Sequence, residues 1–133
     1  MKILVYGCGV IGSLLVHTLC KAGNDVTVVS KGKWGDVLQE KGLHIHHQLQ
    51  HKDTIDYPTV AKKLPDEYFD LVFSVMQGCQ QKNVLHELAK ANTPVVILVG
   101  NNTEAADMER DIARKVNAFG YELRSCKVGG LGL

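Results

Sequence analysis

No C-x-x-C pair joins the four cysteines, at positions 8, 20, 79 and 126, so a disulfide framework has weak support and the thiols read as reduced and cytosolic. Neither sign of charge is in excess: 15 Lys and Arg against 14 Asp and Glu leave a net charge of +1, which points to neither nucleic acid nor an anionic membrane. Long hydrophobic runs are missing as well. After Met1-Lys2 only Ile3, Leu4, Val5 and Tyr6 precede a glycine, too short a run for a secretory signal. The longest apolar run, Pro94 to Gly100, falls far below the roughly 18 residues a membrane helix needs. Repeats and low-complexity segments are absent.

What is present is a chain of 133 residues, 45% apolar and 22% charged, the composition of one ordinary globular domain with a single core. Four short runs rich in Val and Ile (Ile3 to Tyr6, Val26 to Val29, Leu71 to Met76, Val95 to Val99) are continuous rather than alternating, as strands buried on both faces should be. Segments of helical period lie between them. The pattern predicts an α/β fold of Rossmann type, a doubly wound, mostly parallel sheet with helices on both faces, over residues 1–133.

The first helix places Ile11, Leu14, Leu15, Thr18, Leu19 and Ala22 on its inner stripe, leaves His17 outside and ends at Gly23. A second is expected over Trp34 to Lys41, closed by Gly42, and a third over Gln80 to Ala91, with Val84, Leu85, Leu88 and Ala89 inward. A fourth begins near Thr103, capped by Asn102 or Thr103. The stretch from Leu43 to Asp66 holds one or two short strands and a Pro-punctuated connection.

Between the first strand and the first helix stands Gly7-Cys8-Gly9-Val10-Ile11-Gly12, the context in which G-x-G-x-x-G carries meaning. Gly7 permits a tight turn, Gly9 lets the backbone approach a pyrophosphate, and Gly12 lets the helix pack closely on the sheet. The helix N-terminus then offers free N–H groups to the phosphates. A tight turn that binds nothing is the bland alternative, and the ordered succession of strand, turn, helix and strand disfavours it. Where an Asp or Glu would bind a ribose 2′-hydroxyl, about 20 residues beyond the glycines, the chain reads Val28-Val29-Ser30-Lys31-Gly32-Lys33 without a carboxylate. Ser30 can donate to a 2′-phosphate and Lys31 or Lys33 can pair with its charge, which favours NADP over NAD; a solvated polar loop is the alternative.

Met1 to Ser13, Gly23 to Gly32, Phe69 to Gln77 and Asn92 to Asn102 together resemble the amino-terminal half of the ketopantoate reductase (2-dehydropantoate 2-reductase) family. The resemblance implies NADPH as cofactor and a small 2-keto acid as substrate, reduced by hydride transfer on the route to pantothenate. It also implies a second, helical domain, absent from this sequence, that carries the proton-donating Lys and the substrate-binding groups. By this reading the chain alone binds cofactor and does not turn over. The family usually has a Lys near the cofactor after the third of these runs; this chain has Gln77, which keeps a hydrogen bond but no charge. The Asn that the family places near the nicotinamide and the substrate corresponds to Asn101, with Asn102 one register away; helix capping is the competing role for Asn102.

A homodimer is compatible with this reading. The competing function is a non-catalytic nucleotide-sensing module, which would usually carry an acid where Ser30 stands. An orphan Rossmann domain acting only through protein contacts is a third reading, supported by Gln77. Among other groups, His44 and His46 would share one face of a strand, and a polar edge explains them better than a metal, since no Cys or carboxylate lies at ligand spacing. Cys8, near a helix N-terminus, reads as a small residue tolerated in the turn rather than a stabilised thiolate.

Overall fold

The structure, a computed structural model, describes residues 1–100 and 122–127; Asn101, Asn102 and the helix expected from Thr103 lie outside them. Six strands, β1 (Lys2–Tyr6), β2 (Asp25–Val29), β5 (Thr59–Ala61), β6 (Leu71–Val75), β7 (Val95–Gly100) and β8 (Glu122–Lys127), form one sheet in the order β5-β2-β1-β6-β7-β8. Every pairing in it is parallel. From β1 the chain winds outward through β2 to β5, then crosses back to β6 on the other side of β1. The strand order therefore reverses between β1 and β6, where a doubly wound sheet opens a crevice at the carboxyl ends of its strands.

Three described helices cover the sheet: α1 (Val10–Lys21), α2 (Gly32–Lys41) and α3 (Gly78–Leu88). Strand residues alternate between two core layers. Leu4, Tyr6, Val72, Val96 and Leu98 pack with Leu85 and Leu88 of α3, whereas Val5, Val26, Val28 and Val75 pack with Val16 of α1 and Leu38 of α2. Each such fully buried side chain contributes about 1.5–3 kcal/mol of apolar burial. Gln81 is also fully buried on α3, and its side-chain amide donates to the backbone carbonyls of Ser74 (3.3 Å) and Val99 (2.9 Å), tying the helix to β6 and β7.

The inner stripe of α1 is not the expected one. Gly12 and Val16 are buried with Leu15, Leu19 and Cys20 packed beside them, while Ile11 and Leu14 are 56% and 54% exposed. Close approach of Gly12 to the preceding turn fixes the helix's rotation and leaves Ile11 and Leu14 outside. His17, expected in solvent, is 9% exposed. The segment after α2 folds as an antiparallel hairpin, β3 (Leu43–His47) and β4 (Lys52–Asp56), and this hairpin lies against α1. It brings Asp56 to His17, with Nδ1 and Oδ2 at 2.6 Å, and His47 to the same ring at 5.2 Å between centroids.

His44 and His46 do share the exposed face of β3. The hairpin register sets Asp53 opposite His46, and the two bond at 2.5 Å, a carboxylate neighbour that linear spacing hides. Among the described residues no group of three His, Cys, Asp or Glu could hold a metal, and no helix is long and apolar enough to cross a membrane.

Candidate functional site

The turn after β1 is built by two contacts that exclude a side chain. Gly7 has φ +99°, and a Cβ there would sit 2.4 Å from the carbonyl oxygen of Val75 on β6. A Cβ on Gly12 would sit 2.3 Å from the carbonyl oxygen of Gly7, so the first turn of α1 rests directly on the loop that precedes it. Gly9 differs. Its φ is −79°, open to any residue, and a Cβ there meets nothing within 4 Å. Among the described residues, packing supplies no reason for glycine at position 9.

The turn floors a cleft of about 1070 Å³ at the carboxyl ends of β1, β2, β6 and β7. Gly9, Lys31 and Gln77, the N-caps of α1, α2 and α3, all line it, and none of the three helices has a side-chain cap or an acidic residue in its first turn. Three helix N-termini, each with unsatisfied N–H groups and a positive dipole end, thus converge on one space, an arrangement that suits an elongated anion.

Gly7, Cys8, Gly9, Val10, Ile11, Gly12, Ser30, Lys31 and Gln77 all line this cleft. Asn101 lies outside the described residues. Lys33 is exposed and outside the lining. Ser30 is buried at the end of β2 with its backbone N–H bonded to the carbonyl of Ala61 at 3.0 Å, so its position is set by β5.

Reasoning from the sequence missed Trp34. Its indole N–H donates to the carbonyl of Cys8 at 2.7 Å, pinning the glycine turn from α2, and the residue lines the cleft. Also missed were Gln80, Asn83 and Val84, whose i, i+3, i+4 spacing on α3 was the available signal. Tyr6, taken only as a strand residue, reaches the cleft wall and donates its hydroxyl to Glu87; burial first and that bond second push its pKa upward. Burial also raises the Cys8 thiol, prevailing over the hydrogen bond to Ser13 at 3.4 Å, so it stays protonated rather than becoming a thiolate.

A family model described as ketopantoate reductase PanE/ApbA matches residues 3–121. Among solved structures, a 2-dehydropantoate 2-reductase from Methylococcus capsulatus is 22% identical with a TM-score of 0.73, over 96% of this chain and 40% of that one. A ketopantoate reductase described as putative, from Ralstonia solanacearum MolK2, is 18% identical with a TM-score of 0.76, over 96% of this chain and 44% of that one. D-mandelate dehydrogenase, in a ternary structure with NADH and anilino(oxo)acetate, is 19% identical with a TM-score of 0.73, over 84% of this chain and 37% of that one. These likenesses show the fold, and the chain spans less than half the length of each of these three structures.

Proposed function

The chain belongs to the ketopantoate reductase PanE/ApbA family, and we propose that it is the NADP(H)-binding domain of an oxidoreductase that reduces a small 2-keto acid, such as 2-dehydropantoate. The observation that carries the proposal is the contrast at the turn. Gly7 and Gly12 are required by contacts within the protein, but the space over Gly9 is open and faces three uncapped helix N-termini. A pyrophosphate fits that space: it needs close backbone approach and N–H donors, and a side chain at position 9 would stand in its way.

In this reading the backbone N–H groups of Val10, Ile11 and Gly12 hold the pyrophosphate, Ser30 and Lys31 take the 2′-phosphate, and Gln77 offers a neutral hydrogen-bonding group on the β6 side. When bound, the cofactor supplies the hydride. Trp34 keeps the glycine turn in place through the Cys8 carbonyl, and the apolar side chains of Val75, Met76 and Val99 shield the inner wall from water. Preference for NADPH is supported by Ser30 and Lys31 at the end of β2, where no carboxylate is available for a 2′-hydroxyl. A 2-keto acid substrate is supported by the family and by the D-mandelate dehydrogenase likeness, mandelate being a 2-hydroxy acid. The substrate-binding groups and the proton donor belong, in this proposal, to a second, helical domain.

Calorimetric titration of the chain with NADPH and with NADH tests the reading. Binding of both with NADPH the tighter is expected; tighter NADH binding would overturn the NADP assignment, and binding of neither would overturn the function.

A further inference from the structure

Lys31 is the only cation among the described residues that line the cleft, and it does not stand alone. Its Nζ lies 3.9 Å from Oε1 of Glu87 and 5.9 Å from the centroid of the Tyr6 ring. Glu87 sits near the end of α3, outside the lining, and its other oxygen, Oε2, accepts the hydroxyl of Tyr6. The two partners of this ion pair differ in freedom. Tyr6 is 3% exposed within β1 and holds the carboxylate, whereas the Lys31 side chain is 59% exposed on a flexible stem.

We propose that Glu87, anchored by Tyr6, is a specificity-determining residue that acts through Lys31 and tempers the site's preference for a phosphorylated ribose. The inference rests on the nucleotide reading given above. A carboxylate close to an ammonium offsets part of its field and draws it back toward the α3 side. A 2′-phosphate approaching Lys31 must then compete with an anion already in place. A 2′-hydroxyl carries no charge and is indifferent to that competition. Glycine-turn enzymes commonly set this preference with a carboxylate at the end of the second strand, in contact with the ribose; here the acidic group reaches the same locus from a helix on the other side of the sheet, with a lysine interposed.

The test is Glu87→Gln, titrated with NADPH and with NADH beside the unaltered chain and beside Lys31→Ala and the double variant. Gln retains an acceptor for the Tyr6 hydroxyl, so the buried phenol keeps its partner, and an unchanged Tm checks this. NADPH binding is expected to tighten about two- to fivefold, the range of a partly exposed ion pair, with NADH binding unchanged and the gain absent in the Lys31→Ala background. Unchanged or weaker NADPH binding by Glu87→Gln would overturn the inference while leaving the nucleotide reading intact. An equal gain for NADH, or a gain that survives without Lys31, would also overturn it. Failure of the unaltered chain to bind either nucleotide would instead overturn the reading on which it rests.

Discussion

A methyl group on Gly12 would stand 2.3 Å from the carbonyl oxygen of Gly7, a backbone atom and not the far end of a flexible side chain that could yield. Gly12→Ala is therefore expected to lower stability by about 1–3 kcal/mol, measured as a drop in Tm or in denaturation midpoint. Trp34 donates to the same turn through the Cys8 carbonyl. Trp34→Phe keeps the ring and loses the donor, so a loss of about 1 kcal/mol in stability is expected together with weaker dinucleotide binding. Stability and binding that are both unchanged would show that the indole does not hold the turn. The roles of Gly7 and Gly12 could be anticipated from spacing alone, because a strand that turns directly into a helix leaves no room there. Trp34 could not, since its partner is a backbone carbonyl 26 positions earlier in the chain.

At the scale of elements, β1, β2, β6 and β7 were legible because a strand buried on both faces is mostly apolar, and each of these four carries a run of Val, Ile, Leu or Phe interrupted at most by a single small polar residue, Thr27 or Ser74. β8 was not, since Glu122, Arg124 and Lys127 interrupt its run and parallel pairing with β7 supplies what the pattern lacks. The stripe of α1 was misread by about one residue. Counting apolar positions favoured Ile11 and Leu14, but the glycine contact at Gly12 decides which side faces the sheet. Likewise His17 looked exposed because the β3–β4 hairpin that covers it comes from later in the chain and announces itself only weakly. The His17 and Asp56 side chains are 11% and 16% exposed, so removing one leaves the other poorly hydrated. His17→Ala is expected to cost about 1–3 kcal/mol and to speed amide exchange in β3 and β4 more than in β1 and β2. Uniform acceleration across all four strands would mean that the pair does not fasten the hairpin to α1.

For the whole molecule, local pattern implied a doubly wound sheet, but the convergence of three helix N-termini on one cleft emerges only from the strand order β5-β2-β1-β6-β7-β8. Burial also acts on three titratable groups of the fold. The thiols of Cys8 and Cys20 and the phenol of Tyr6 are all raised, from reference values of 9.0, 9.0 and 10.0, with burial the first cause in each case. Groups raised in the folded state bind protons more tightly there than in the unfolded chain, so their stabilising contribution is complete below pH 9.0 and declines as pH climbs above it. Tm followed from neutral pH to about pH 11 should hold and then fall; a rising or level profile through that range would contradict the assignment.

In the proposed function, the opening over Gly9 is kept for a dinucleotide and not for the fold. Trp34, the only tryptophan, sits at the cleft, so its fluorescence reports binding directly. We would titrate NADPH into the unaltered chain and into Gly9→Val while following that emission, with Tm measured for both. Equal Tm and loss of binding in the variant alone are expected. A folded Gly9→Val that binds NADPH as well as the unaltered chain would contradict that role for Gly9.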